Sequence, residues 1–329
     1  MSHTAKRLRY VLKRLLQALP IVLAIIVVNF FLLHMAEGDA VDVLAGEAGS
    51  ATPEYMAELR KKFGLDQPLP VQLFVYLKNI ASFDLGYSFR HEMPVLDLVL
   101  DRFVPTLLLM VSTILLAVGV GIVLGLLAAT GLNTWRDTLI SVFALVTYAT
   151  PLFWVGLMFI VVFALNLGWF PTSGMENIAM FYEGWDRVWD IAHHLVLPTI
   201  TLSLFYLALY TRLMRASMLE QAGMDYVTTA RAKGLTERRI MFVHVLRNAL
   251  LPVVTMAGVQ VGALIGGSVI VESVFAWPGL GMLAFEALFA RDLNLLLGIF
   301  LLSALLVVAV NLIVDIIYSW LDPRIEVGS

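Results

Sequence analysis

The sequence predicts an all-α membrane protein that crosses the bilayer six times. Hydrophobic residues make up 60% of the 329 residues, charged residues make up 14%, and the mean hydropathy is +0.86. A soluble domain carries about 25% charged residues, whereas a helix that spans a bilayer needs about 20 apolar residues. Six stretches meet that need: Leu15–Met35, Thr106–Thr130, Leu139–Leu165, Leu195–Leu213, Leu250–Phe275 and Leu293–Ile317.

The chain begins with a short basic segment, residues 1–14, which leads into the first apolar stretch, residues 15–35. We expect this stretch to be a retained transmembrane helix and not a removable signal peptide. Its apolar run is too long for the core of a signal peptide, and no small-residue cleavage site precedes Glu37 and Asp39.

Two polar segments are expected on the outer side of the membrane. Residues 36–105 contain eleven acidic residues and form the only candidate subdomain. Within them, Thr52 as N-cap and Pro53 at the first helical position predict a surface helix that extends to Phe63. The second segment, Asn166–His194, contains Trp169, Trp185 and Trp189, which are typical of the aromatic belt at a membrane interface.

The distribution of Lys and Arg predicts the orientation. Basic residues concentrate in the N-terminal segment and in the loop that follows the fourth apolar stretch, and these regions lie on the same side of a six-span chain. The positive-inside rule makes that side cytoplasmic, with both termini there. The residues concerned are Lys6, Arg7, Arg9, Lys13, Arg14, Arg136, Arg212, Arg215, Arg231, Lys233, Arg238, Arg239, Arg247 and Arg324. The predicted layout is therefore an inner terminus 1–14, a first span 15–35, an outer segment 36–105, a five-helix core 106–318 with an inner loop 214–249, and an inner terminus 319–329.

The inner loop has the most informative sequence of the chain, DYVTTARAKGLTERRIMFVHVLRNALLP at Asp225–Pro252. An Arg or Lys near the bilayer centre costs roughly 2.5–3.5 kcal/mol, so this basic segment must lie outside the membrane. Gly234 divides it into two predicted helices, Tyr226–Lys233 and Thr236–Asn248. Glycine ends helices in the left-handed conformation, and Thr236 is a typical N-cap residue. We predict a compact helix–turn–helix that docks into a partner's groove.

Other features favour simpler explanations or leave alternatives open. Glu272 and Asp315 lie close to the ends of spans five and six, where an interfacial anchor or a structural pair is as good an explanation as a functional site. His193 and His194 near Asp186 and Asp190 could suggest a metal site, but an ordinary outer-face helix start explains them better. The sequence contains no cysteine and no phosphate-binding P-loop, which excludes disulfides, thiolate chemistry and ATP binding of the P-loop type.

The inner loop resembles the conserved EAA loop of ABC-importer permeases, in the form found in the dipeptide, oligopeptide and nickel branch. The family pattern Glu-Ala-Ala-x-x-x-Gly falls on Thr228, Thr229, Ala230 and Gly234, so the first two positions depart from it. Four further elements resemble the same family in the same order. They are Phe83–Ser88 (D-L-G-x-S), Pro171–Gly174 (P-T-S-G), Ala276–Gly281 (W-P-G-L-G) and Asp322–Arg324 (D-P-R).

This resemblance implies a type I ABC-importer permease in the bacterial cytoplasmic membrane, in contact with membrane lipid and forming half of a translocation pore. The implied partners are a second related permease, two ATP-binding subunits and an extracytoplasmic solute-binding protein, with no nucleic acid. ATP and Mg²⁺ would be bound by the ATPases and no cofactor by this chain, which is therefore not expected to be an enzyme. The implied ATPase-coupling residues are Asp225, Tyr226, Thr228, Thr229, Ala230, Arg231, Lys233 and Gly234.

Helical spacing places Tyr226, Thr229, Ala230 and Lys233 on one face. We predict that the small Thr229 and Ala230 enter the ATPase groove while Arg231 and Lys233 meet acidic groups at its rim. Two other functions would require features of their own in the sequence. An ion-coupled secondary transporter would need carboxylates near the middle of its spans, and a membrane-bound enzyme would need catalytic residues in the outer segments. The sequence shows neither.

Overall fold

The computed structural model describes residues 3–35, 41–42, 52–62, 64–88 and 90–321, and most of them are helical. The all-α prediction is confirmed. The strands among these residues form one two-residue antiparallel ladder, β1 (Tyr87–Ser88) with β2 (Met93–Pro94). The helices are α1 (His3–Met35), α2 (Pro53–Lys62), α3 (Leu69–Ala81), α4 (Val95–Thr130), α5 (Trp135–Ala149), α6 (Leu152–Phe159), α7 (Gly184–Ala222), α8 (Asp225–Ala232), α9 (Glu237–Arg239), α10 (Leu246–Val274), α11 (Leu280–Phe289) and α12 (Leu293–Leu321).

The chain divides into two compact units. The first consists of Met1–Val104 and Leu283–Ser329, and the second of Pro105–Met282. In the first unit, α1 packs against α12 and also contacts α3. The Ser88 hydroxyl donates a hydrogen bond to the Asp292 carboxylate, which also accepts the backbone N–H of Leu295 at 3.1 Å. The loop before α12 is thus fixed to the β-ladder.

In the second unit, α7 packs against α5, α6 and α10. The contact between α4 and α7 is close because it passes through glycine. A Cβ built on Gly121 would lie 2.6 Å from Cβ of Tyr210, and one built on Gly125 would lie 2.6 Å from Cβ of Met214. Small residues at such positions let membrane helices approach each other. The helix that leads into the inner loop is therefore held firmly.

The third predicted span, Leu139–Leu165, is not one straight helix. It is divided between α5 and the helix Leu152–Asn166, whose last part, Ile160–Asn166, is π-helical, and the two meet at an angle of 100°. Pro151 explains the break, because proline disfavours the helical conformation of the preceding residue. Thr150 has an extended ψ of 131°. Hydropathy alone did not reveal this bend.

Four helices among the described residues are long and apolar enough to cross a membrane, or five if the bent pair counts as one span. The four are Val95–Thr130, Gly184–Ala222, Glu237–Gln260 and Leu293–Ile313. A shorter apolar helical stretch, Leu19–Leu32, lies within α1. The count of six crossings therefore stays a prediction, although every predicted span is mostly helical.

The predicted surface helix of the outer segment is present as α2. It begins at Pro53, and the backbone N–H of Tyr55 donates to the Thr52 hydroxyl at 3.3 Å, so Thr52 caps it as predicted. Phe63, the predicted last residue, lies outside the described residues, as does the Asp322–Arg324 motif.

Candidate functional site

The inner loop begins with the short helix α8, which follows α7 after a turn at Gly223 and Met224. Met224 has an extended conformation, with ψ 151°, so the chain leaves one helix before it enters the next. Asp225 occupies the first turn of α8, where a carboxylate stabilises the positive end of the helix dipole. The predicted helix Tyr226–Lys233 is thus present and begins and ends one residue earlier.

Gly234 ends α8 in the left-handed conformation, with φ +77°. The N–H of Leu235 donates to the carbonyl of Ala230 at 3.3 Å, and that of Gly234 to the carbonyl of Arg231 at 2.9 Å. This pair of hydrogen bonds defines a Schellman motif. A Cβ on Gly234 would meet no atom within 4 Å, so the turn requires glycine for its backbone conformation and not for space.

The helix after the turn differs from the prediction. Thr236 has the extended conformation of an N-cap, with φ −67° and ψ 143°, but its side chain makes no capping hydrogen bond. The helix then continues through α9 and a π-helical turn, Ile240–Val245, directly into the long helix α10. The predicted separate helix Thr236–Asn248 is therefore wrong. The second arm of the helix–turn–helix is the beginning of a membrane-spanning helix.

The burial of α8 identifies its free face. Val227 and Ala230 are 1% and 7% exposed, and α8 packs against the π-helical turn, in which Ile240 and Val245 are also buried. The opposite face exposes Asp225, Thr228, Thr229 and Ala232, which have the i, i+3, i+4, i+7 spacing of one helical stripe. The prediction that Ala230 lies on the docking face is therefore wrong, because Ala230 anchors α8 to its own chain.

The remaining predicted coupling residues border this stripe. Tyr226 is half-buried and donates its hydroxyl proton to the Gln221 side chain at 2.9 Å, while Lys233 is exposed beside the turn. Arg231 makes a two-pronged ion pair with Glu237 across the Gly234 turn, with N–O distances of 2.6 and 3.1 Å. Hydrogen bonding to Glu237 raises the pKa of Arg231 above its ordinary value. The charge predicted to meet the partner's rim is thus paired within the chain.

A second ion pair fixes the end of α7, and sequence reasoning missed it. Arg215 binds both carboxylate oxygens of Asp137 at 2.7 and 2.8 Å, and Asp137 also accepts the N–H of Asn133 at 3.3 Å. The pair joins the first turn of α5 to α7, the helix that leads into α8. The sequence shows the acidic Asp137 beside an apolar stretch, which indicates a buried ion pair, but its partner lies 78 residues away.

At the other end of the second unit, the turns with the P-T-S-G and W-P-G-L-G motifs meet. The backbone N–H of Gly174 donates a hydrogen bond to the carbonyl of Phe275 at 2.8 Å. The indole N–H of Trp277 donates to the carbonyl of Pro105 at 2.9 Å. The backbone N–H of Leu280 donates to the hydroxyl of Thr106 at 2.7 Å. Trp277 is fully buried. We refer to the residues Pro105, Thr106, Gly174, Glu272, Phe275, Trp277, Gly279, Leu280 and Met282 as the turn cluster.

Glu272, whose role the sequence left open, is a structural member of the turn cluster. Its side chain is fully buried and accepts the N–H of Met282 at 2.7 Å, in the first turn of α11. A Cβ on Gly279 would lie 2.3 Å from this carboxyl group, so glycine is required for the close approach. Glu272 is therefore a structural anchor. The side chain of Asp315 lies outside the described residues.

The two histidines bind carbonyl groups. A ring nitrogen of His193 lies 2.7 Å from the carbonyl oxygen of Trp169, and one of His194 lies 2.8 Å from that of Asp190. Within the described part of the chain, no three His, Cys, Asp or Glu residues are grouped as metal ligands would be.

Long apolar helices, with a short helix on a glycine turn exposed between two of them, are the features of a polytopic membrane protein that offers a surface to a partner. Comparison with known proteins specifies the family. Residues 121–327 match the model of the "Binding-protein-dependent transport system inner membrane component", and residues 7–110 match that of the corresponding N-terminal membrane component. The chain belongs to this family of ABC-importer permeases.

Individual relatives match nearly the whole length of the chain. The chain is 40% identical to the oligopeptide transport system permease protein AppB of Bacillus subtilis over 319 residues, which cover 96% of this chain and 99% of that protein. It is 34% identical to the dipeptide transport system permease protein DppB of Alkalihalophilus pseudofirmus over 333 residues, which cover 97% and 99%. Among solved structures, the inward-facing methionine ABC transporter MetNI matches 68% of this chain and 96% of its own, with a TM-score of 0.54 and 17% identity, which shows a shared fold.

The family membership settles the general function. The chain is a multi-pass inner-membrane permease that forms part of a pore, and it works with ATPase and solute-binding partners. Hydrolysis of ATP belongs to the ATPase subunits. The alternative of an ion-coupled secondary transporter is thereby set aside.

Proposed function

We propose that this chain is one of two related permease subunits in an importer of peptides or similar small solutes, and that α8 is the element through which an ATPase drives it. Its relatives are permeases for oligopeptides and dipeptides, which supports the substrate class. The proposed complex contains two ATPases, which hold ATP and Mg²⁺, and an extracytoplasmic binding protein. Both chain termini, residues 1–14 and 319–329, lie in the cytoplasm together with the loop 214–249.

The observation that carries the proposal is the division of α8 into two faces. Val227 and Ala230 bury one face in the chain itself, so a force applied to α8 reaches the beginning of α10 through the π-helical turn. The other face presents Asp225, Thr228 and Thr229 to solvent. Small and polar side chains of this kind allow a helix to enter a groove closely.

In the proposed mechanism, ATP binding closes the two ATPases and moves the docked α8. Because α8 lies between the end of α7 and the beginning of α10, its displacement is transmitted to both helices. The Asp137–Arg215 ion pair couples α5 to the same motion. A switch of this type needs packed elements with two arrangements, and it needs no catalytic residues in the permease.

Purification of the tagged chain from its native membranes in mild detergent tests the proposal. We expect two ATPase subunits and a second permease to co-elute, and uptake of a labelled oligopeptide to stop when the gene is deleted and to return when it is restored. A strain that carries the gene but is depleted of ATP is the matched control for uptake. Elution of the chain without an ATPase would contradict the proposal, and unchanged peptide uptake in the deletion strain would contradict the substrate class.

A further inference from the structure

The helix α3 in the predicted outer segment has an exposed apolar face. No residue of this helix is buried. The side chains of Val71, Phe74 and Val75 are 44%, 69% and 47% exposed, and their spacing places them on one stripe. Lys78 continues this stripe and is the only charged residue of the helix. A soluble helix would present polar residues on such a face.

The neighbouring helix α2 shows that this face is not a general property of the outer segment. Its sequence, PEYMAELRKK, is strongly polar, whereas α3 has the sequence LPVQLFVYLKNIA. Both helices belong to the same compact unit and are separated by a short turn. The surface of α2 is therefore suited to water, and the surface of α3 to an apolar environment.

A hydrogen-bond network ties α3 to the end of α1. A ring nitrogen of His34 lies 2.9 Å from the Gln72 side-chain oxygen, and the Gln72 amide donates to the carbonyls of Leu65 and Gln67 at 3.1 and 2.7 Å. This network places the first turns of α3 beside the last turn of α1. There α1 exposes Phe31, Leu32 and Met35, which are 48%, 52% and 80% exposed. The apolar surface of a helix that enters the bilayer thus adjoins the apolar stripe of α3.

The geometry points to α3 as an interfacial helix whose Val71, Phe74 and Val75 side chains insert into the outer leaflet of the bilayer. Amphipathic helices of this kind lie in the plane of the interface, with the apolar face about 5–10 Å into the boundary between headgroups and acyl chains. Lys78 fits this position because a long basic side chain can extend its charged group back to the headgroups. The inference rests on the orientation given under the proposed function for the side of the membrane, but not on the substrate.

A cavity of about 550 Å³ lies between this helix and the end of α1 and supports the inference. Its lining includes Phe30, Val71 and Val75 together with polar side chains such as Asn79 and Asp84, so one edge of the stripe borders the cavity. Burial raises the pKa of Tyr76, which also lines the cavity, to about 12, which keeps its hydroxyl protonated at any physiological pH.

The absence of native cysteine allows a direct test in the assembled transporter. Phe74→Cys and, as matched control on the polar helix, Tyr55→Cys are labelled with an environment-sensitive fluorophore, and the complexes are reconstituted in lipid nanodiscs. Tyr55 is 53% exposed, so both labels sit on accessible positions. Quenching is then compared for aqueous iodide and for lipids that carry a quencher high on the acyl chain.

We expect the label at position 74 to lose most of its fluorescence to the lipid quencher and little to iodide, and the label at position 55 to show the reverse. Iodide quenching at position 74 equal to that at position 55 would overturn the inference, because the stripe would then face water. Protection of position 74 from both quenchers would overturn it in favour of a protein partner. Loss of peptide uptake in either variant bears on the proposed function and leaves the quenching result unaffected.

Discussion

The turn cluster and the α8 region belong to the same compact unit, yet they are built by opposite means. In the turn cluster, Trp277 and Glu272 are fully buried, and the hydrogen bond from Trp277 to Pro105 joins segments more than 100 residues apart. In the α8 region the contacts are local, one face is exposed, and the ion pair across the turn is open to solvent. A desolvated hydrogen bond is costly to break, whereas an exposed ion pair contributes little.

This difference indicates a division of labour. The turn cluster holds one end of the helices in a fixed arrangement, whereas the α8 region presents a small, movable surface to which a partner can bind. Damage to the cluster should therefore reduce the stability of the chain itself, whereas damage to the exposed face of α8 should reduce only the association with the ATPase. Each prediction below tests one side of this division.

The largest effect is expected in the turn cluster. Trp277→Ala should lower the free energy of unfolding by about 3–5 kcal/mol, because a large buried side chain is lost and a cavity remains. Thermal unfolding in detergent measures this loss. Trp185→Ala is the matched control, since Trp185 is 79% exposed, and it should change stability by no more than about 0.5 kcal/mol. Equal stability of the two variants would show that the turn cluster is not a fixed joint.

The next effect separates the two faces of α8. Ala230→Trp should destabilise the chain by about 1–3 kcal/mol, because a bulky side chain is forced into a packed site. Thr229→Trp should leave the thermal stability unchanged and abolish binding of the ATPase in pull-downs. If Thr229→Trp binds the ATPase as well as the parent, the exposed stripe is not the docking face.

A smaller effect is expected at the turn. Gly234→Val should cost roughly 1–2 kcal/mol for the left-handed backbone, with no steric clash, because the space around Gly234 is open. The protein should reach the membrane, while transport is uncoupled from ATP hydrolysis. Gly234→Asn is the control, since asparagine tolerates this conformation. Normal peptide uptake by the valine variant would remove the argument for a defined turn.

The smallest effect concerns the exposed ion pair. Arg231→Ala should change stability by about 0–1 kcal/mol, because both partners are open to solvent. Binding of the ATPase should weaken only slightly, and more at low salt than at high salt. A titration of binding against salt concentration measures this. A complete loss of association would mean that Arg231 itself contacts the partner.

The sequence predicts the local features of α8 well because they depend on neighbouring residues. Gly234 as a left-handed C-terminus and Asp225–Ala232 as a helix follow from residue type and spacing. The periodicity of α8 shows which residues share a face, but not which face is turned inward. That is decided by Ile240 and Val245, after the turn. Ala230 was therefore assigned to the wrong side.

Other features depend on parts of the chain that are distant in sequence or on backbone geometry that hydropathy does not sense. The Asp137–Arg215 ion pair and the hydrogen bond from Trp277 to Pro105 cannot be derived from local patterns. Pro151 is a local signal for the bend, because proline restricts the conformation of the residue before it. The hydropathy of the surrounding apolar run does not contain this signal. The motifs at Pro171–Gly174 and Ala276–Gly281 were recognised separately, and only the structure shows that they meet.

The central claim is that the Thr228–Thr229 face of α8 is covered by the ATPase while Val227 is covered by the chain itself. Because the chain contains no cysteine, a maleimide labels each single-cysteine variant of this chain at the introduced residue alone. Thr229→Cys should react readily in the isolated permease and become protected when the ATPase binds. Val227→Cys should stay unreactive in both states, and Arg238→Cys, exposed beyond the turn, should react in the isolated permease as readily as Thr229→Cys. Undiminished labelling of Thr229→Cys in the assembled transporter would contradict the claim.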